Sequence, residues 1–441
     1  MHVPCTNVAR RRDADRGGAH AWIADEAQAL LARLGRIRPL VVQETMTPAA
    51  APSTRTQQAI ERSLEHGRAR LRRRLVQLLA ALDTDEARRM PAATLHQRLV
   101  QVRLQFNDVL SNLDLFVDAL SQRSERDTGL WLAGLDVVAE DALDLGDAYA
   151  PPPVLCYLDR GPGAAIRRAR TRLPGGGDNP IALIQIPRER MTGTAVAASL
   201  AHETGHQAAA LLELLPGLRD HVQRTVPDVP VWQRWLSEIV ADLWAVSRLG
   251  PTATLGLIGV LSLPEAFVAR LSETDPHPPA WLRVQLGAAM GAALYPDAQW
   301  AELAGLWRAL YPIDRLPRAR RGPLVEIAAT IPTLVRCLLA HRPAALHGES
   351  LGGALVQEAV SPRALRAAIG RPGWSRGLTR SRPSHALAIL GQARWRRVIT
   401  PEQERRAVSR LLATWAVGRA LDRPTTIRTA INPAEPELPW S

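Results

Sequence analysis

The sequence contains no lysine: all 55 basic residues among its 441 are arginine. With abundant Ala, Leu and Pro, this looks more like a GC-rich coding bias than a selected nucleic-acid surface. Cysteine is almost as scarce. Cys5, Cys156 and Cys337 are odd in number and far apart, which excludes a disulfide framework and a CxxC metal site. No apolar run reaches the roughly 18 residues of a membrane span. The nearest, Thr252 to Pro264, is short and closes at Pro264-Glu265. The N-terminus has arginines but no apolar segment behind them, so no secretory signal is read. The expectation is a soluble, cytoplasmic protein without a transmembrane segment. Export as an effector by a route that needs no signal is left open.

What is present is ordinary for a folded chain: 46% hydrophobic and 22% charged residues, enough to bury a sizeable core. The length suits two or three domains of about 150 residues each. The net charge of +12 is uneven. Residues 1–314 carry 34 arginines against 35 acids, whereas residues 315–441 carry 21 against 8.

Pattern divides the chain further. Residues 1–55 hold one amphipathic stretch, Ala21 to Leu34, then a Pro/Ala/Thr-rich linker, Thr45 to Thr56, expected not to pack and in part disordered. Within 56–150, Leu71, Leu75, Leu78 and Leu82 recur at helical spacing. So do Leu95, Leu99, Val102, Phe106, Val109, Leu113, Phe116 and Leu120, across a break at Asp83 to Pro91. This predicts a helical hairpin with a heptad-like seam, which packs on the rest of the chain or serves oligomerisation or partner docking. From 151 the texture changes. Val154 to Leu158 and Ile181-Ala182-Leu183-Ile184-Gln185-Ile186 read as strands around a Gly/Pro/Arg-rich loop. From Gly193 the pattern is helical, with Thr192 or Thr194 as the N-cap. The expected fold is mostly α with a small antiparallel sheet.

The chemistry sits in that first helix, at Ala201-His202-Glu203-Thr204-Gly205-His206-Gln207, an HExxH motif. Positions i and i+4 share a helix face, so His202 and His206 can present imidazole nitrogens to one zinc ion. Glu203 flanks that face as a general base. The surrounding helix is apolar, and a buried His-Glu-His set without a metal would leave costly unpaired groups. A catalytic site needs a third protein ligand. The metzincin extension would require Gly at 209 and His at 212, where Ala209 and Leu212 stand. Two candidates remain. His221 follows Pro216-Gly217, and Glu238 lies in Ser237-Glu238-Ile239-Val240-Ala241-Asp242. Glu238 is the favoured ligand, with Asp242, one turn on, accepting the outer N–H of a zinc histidine.

HExxH followed by ExxxD resembles the gluzincin zinc metallopeptidases. A third piece, Asp275-Pro276-His277-Pro278-Pro279 running to Arg283, resembles the HPP…R segment of the group containing the CAAX prenyl endopeptidases and bacterial heat-shock membrane proteases. The resemblance covers roughly residues 181–283 and implies a zincin-like peptidase core over 151–314, followed by a basic, mainly helical region over 315–441. It assigns His277 to the oxyanion and Arg283 to orienting the glutamate ligand or a histidine. The membrane spans of that group are missing here. The strand Ile181–Ile186 is expected as the edge on which a peptide or protein substrate pairs.

The function expected is therefore a zinc metalloendopeptidase using one catalytic zinc ion, His202, His206 and Glu238 as ligands and Glu203 as base. Two other readings stand beside it. One is a DNA-associated protease recruited by the basic region, where Trp374 and Trp395 interleave with arginines. The other is a non-catalytic zinc-binding adaptor.

Overall fold

Apolar residues at alternating steps of three and four build the long helices α1 (Thr6–Arg36) and α2 (Thr54–Leu82) and, after the short α3 (Asp85–Arg89), α4 (Ala92–Ser121). They belong to a computed structural model that describes residues 6–37, 46–160, 164–173, 177–188 and 193–422. The hairpin seam is real, and α1 covers it: Ile23, Ala27, Leu30 and Leu34 pack against Leu71, Leu75, Leu78, Leu95, Leu99, Val102 and Phe106. The linker expected to stay unpacked does pack over its described residues. Met46, Ala50 and Ala51 are buried. The small side chains of Ala50 and Ala51 let the backbone approach closely enough for Arg123 to donate to the Ala50 carbonyl at 3.3 Å.

Next come α5 (Arg126–Leu143) and three strands, β1 (Val154–Asp159), β2 (Ala165–Arg167) and β3 (Ala182–Pro187). The sheet order is β1-β3-β2. β1 runs parallel to β3 from Val154 opposite Ala182 to Asp159 opposite Pro187, while β2 is antiparallel to β3. The sheet is therefore mixed rather than antiparallel, because the chain between β1 and β3 is long enough to cross back and add β2 on the far side. This also corrects the edge assignment. Ile181 to Ile186 lies at the sheet's centre, with β3 paired on both sides, and the short β2 takes the edge. α5 is tied to β1 by Asp136, whose buried carboxylate accepts from the Cys156 amide at 2.7 Å and from Arg123 at 2.9 Å.

The remainder is helical. α6 (Thr194–Leu211), α7 (Leu214–Thr225), α8 (Val231–Leu249), α9 (Pro251–Leu261) and α10 (Glu265–Val268) lead to α11 (Ala280–Leu294) and α12 (Gln299–Leu310). Then follow α13 (Arg318–Ala329), α14 (Ile331–Ala340), α15 (Leu351–Leu355), α16 (Pro362–Ile369), α17 (Pro383–Trp395) and α18 (Pro401–Leu421). One hydrophobic core gathers side chains from Leu132 to Trp415, so the arginine-rich C-terminal helices share it with the helices around HExxH. α18 lies so close to α5 that a Cβ on Gly134 would come 2.4 Å from the Leu412 carbonyl oxygen. Trp374 and Trp395 pack against this core. By length and composition, the α13–α14 stretch Arg318–Ala340 is apolar enough to cross a membrane, although Pro323, Glu326, Pro332 and Arg336 interrupt its apolar run. Its Leu324, Ile331, Leu334, Val335 and Leu338 belong to the core.

Candidate metal centre

α6 is a helix of small residues, with Ala197, Ala198, Ala201, Ala208 and Ala209 all buried, so its neighbours approach closely. The approach to α8 is made at Gly205, inside the HExxH motif. A Cβ there would lie 2.8 Å from both Ala241 Cα and Trp244 Cβ of α8. That contact lets Glu238 and Asp242 reach the α6 histidines. Gly205→Val is expected to force α6 and α8 apart, costing on the order of 1–3 kcal/mol of stability and weakening metal binding. Thermal melting and metal titration read the two effects separately.

The N-cap differs from expectation. Thr192 lies outside the described residues, and Thr194 is the first helical residue, with no side-chain cap of its own. Glu404 of α18 does the work instead. Its Oε1 accepts from the Thr194 amide at 3.0 Å and from the Thr194 hydroxyl, placing a carboxylate at the positive end of α6.

The site histidines and acids meet between α6 and α8. His202 Nε2 lies 3.2 Å from Glu238 Oε2, and His206 Nε2 lies 3.4 Å from Glu238 Oε1. One ligand atom from each of His202, His206 and Glu238 falls within 4.8 Å of the others, so the three can hold one metal ion. Both rings are oriented from behind. His202 Nδ1 donates to Asp242 Oδ1 at 2.8 Å, and His206 Nδ1 sits 3.2 Å from Ser237 Oγ. Each ring therefore turns Nε2 toward Glu238. Arg283 holds Asp242 in turn, through Nε at 2.6 Å and Nη2 at 2.9 Å. The fit to a cation shows in one atom: Glu238 Oε2 is buried and makes no hydrogen bond, although two imidazole nitrogens stand near it. A buried carboxylate oxygen left so would be costly, and a metal ion satisfies it.

The other expected residues divide. His277 Nε2 lies 3.4 Å from Glu238 Oε2, and its Nδ1 donates to Asp275 Oδ1 at 2.8 Å. His221 is elsewhere, half-buried on α7 with its ring centre 6.0 Å from that of His341, and is not part of the cluster. The Ile181–Ile186 strand does not border the cleft beside the histidines. That cleft, about 740 Å³, runs along His202 and Glu203 and is lined by Ala164 just before β2 and by Ala198, Leu257, Val260 and Gly287. Sequence reasoning gave no role to Ser237, Asp275 or Gly205. Each lies within two residues of one it did single out, and that nearness was the available signal.

Charge is distributed sharply. Burial alone would raise the Glu238 carboxyl, but the two imidazoles beside it hold it well below the usual carboxylate range. Burial likewise opposes ionisation of Asp242, yet Arg283 and His202 bring it down to about 2. Burial would lower His202, and Asp242 overrides this to raise it to about 9. Burial raises Glu203 despite both histidines. Without metal, His202 is thus protonated at pH 7 and must lose a proton on ligation. Metal uptake at pH 7 is expected to release about one proton, and affinity to rise roughly tenfold per pH unit up to about pH 9. Calorimetry in buffers of different ionisation enthalpy measures this.

Comparison with known protein families, curated proteins and solved structures returns no match for this chain.

Proposed function

We propose that this protein is a zinc-dependent metalloendopeptidase built on a zincin-like core. The observation that carries the reading is the conjunction of His202, His206 and Glu238 around one point with the buried acid Glu203 beside them on an open cleft. The donor set, two imidazoles and one carboxylate, is the kind that leaves a zinc ion a position for substrate or water. Zinc bound there supplies Lewis acidity, making water acidic near neutral pH and polarising the scissile carbonyl.

The chain's own residues do the rest. Glu203, its carboxyl raised by burial, takes a proton from the attacking water and hands it to the leaving amine. His277, its Nδ1 held by Asp275, presents Nε2 to the tetrahedral oxyanion. Asp242 and Arg283 keep His202 in the tautomer that frees Nε2. An extended substrate pairs with the open edge of β2, passing Ala164 and setting a side chain into the apolar end of the cleft. Chelator treatment is expected to abolish cleavage of an unfolded protein, and one equivalent of zinc to restore it. Cleavage that continues in metal-free protein contradicts the proposal.

A further inference from the structure

We infer that the face made by β2, the loop after it and the adjoining side of α2 binds acidic polypeptide segments, so that substrates carry a run of Asp or Glu on one side of the bond cut. That the bound segments belong to substrates rests on the peptidase reading. Residues 160–173 contain five arginines and no acid, a concentration that the near-neutral balance of residues 1–314 hides. Arg167, Arg170 and Arg172 are exposed and Arg168 is half-buried. Arg70 and Arg74 of α2 join them: both line a cleft of about 630 Å³ together with Leu173 and Gly177 of the loop. A Cβ on Gly177 would lie 3.7 Å from Arg70 Nη2. Among the described residues none of these six arginines forms an ion pair. Among the acids nearby are Asp108 in the cleft, Asp178, whose backbone bridges to Arg172, and Asp159 at the end of β1, which with Arg167 acts on Tyr157.

The loop holds these arginines firmly. Buried Asn179 donates through Nδ2 to the carbonyls of Arg167 and Arg168, both at 3.1 Å. Buried Gln207, the residue after His206, accepts from the Ala169 amide at 2.8 Å, which fixes the loop to α6 beside the metal ligands. Arg170 is kept at φ 63, a conformation a non-glycine residue holds only when its surroundings impose it. A chain paired along β2 passes Ala164 at the cleft and meets Arg167 roughly 10 Å further on. Acidic side chains three or more residues from the scissile bond would then face Arg167 to Arg172, and beyond them Arg70 and Arg74. The open strand edge suits a polypeptide backbone. The α2 cleft has no aromatic side chain on which a nucleic-acid base would stack.

The test uses the full chain carrying Glu203→Gln and two labelled peptides of equal length, one with four consecutive glutamates and one with four glutamines in their place. The acidic peptide is expected to bind about tenfold more tightly at low ionic strength, with the gap closing as salt rises. Arg167→Gln with Arg170→Gln should remove the preference while metal content is unchanged. Arg74→Glu, on the exposed surface of α2, should weaken it without touching the loop. Equal binding of the two peptides, or a preference that survives both variants, overturns the inference. So does a DNA oligonucleotide that displaces the acidic peptide and binds more tightly through the same arginines. Acidic preference in a protein that cleaves nothing sinks the peptidase reading and leaves the acidic face standing. Cleavage indifferent to the acidic run does the reverse.

Discussion

Glu238→Ala is expected to bind metal at least about a hundredfold more weakly than the parent chain and to purify with almost none. Loss of a group that merely orients a ligand costs 10–100-fold in affinity, and Glu238 is proposed as a ligand itself. Its two carboxylate oxygens face His202 and His206 at 3.2 and 3.4 Å, and nothing else in the cluster reaches both. His202 would remain anchored by Asp242 and Arg283, so the fold around α6 should persist and the loss should be confined to the metal. His221→Ala is the matched control. It removes a histidine that stands with His341 away from the cluster, and metal content should not change. Metal analysis on the two purified variants decides between Glu238 and His221 as third ligand.

Glu203→Gln is expected to separate metal from activity. Glutamine keeps the shape and can still hydrogen-bond, so the metal should stay while cleavage falls by about a thousandfold, the range for loss of a positioned general base. The pH dependence should change with it. Burial raises the Glu203 carboxyl, so in the parent chain activity is present above that raised value and lost as pH falls through it. In the variant that acidic limb should vanish. A variant that loses its metal as well would give Glu203 a part in holding the site, not a part in the reaction.

How much of this was legible in the sequence depended on the range of each interaction. His202 and His206, or Glu238 and Asp242, are one helical turn apart, and one turn is what spacing reports. His277 and Arg283 came from resemblance, since no local pattern ties a loop histidine to a helix forty residues earlier. The sheet was half visible. β1 and β3 are apolar runs, but β2 is three residues, two of them exposed, in a Gly- and Arg-rich loop, and so carries no alternation to detect. Without β2 the strand at Ile181–Ile186 looked like an edge. The cap on α6 was out of reach for a similar reason, because Glu404 lies 210 residues from Thr194. The linker failed in the opposite sense. Its richness in Pro, Ala and Thr reads as a segment that does not pack, yet the smallness of Ala50 and Ala51 is what lets it be buried.

Charge shows the same lesson at a larger scale. Composition places the excess arginine after residue 314, yet those helices share their core with the HExxH helix and supply its cap. The arginines with no ionic partner described above lie on β2, on the loop after it and on α2, inside a stretch whose net charge is close to zero.

The central claim is hydrolysis of internal peptide bonds at the His202–His206–Glu238 centre. It is tested most directly by incubating a complex peptide library with zinc-loaded protein and with zinc-loaded Glu203→Gln protein, then identifying new termini by mass spectrometry. New internal termini that appear with the parent chain and disappear with the variant, at equal zinc content, are the result expected. An identical set of termini from both proteins, or none from either, would contradict it.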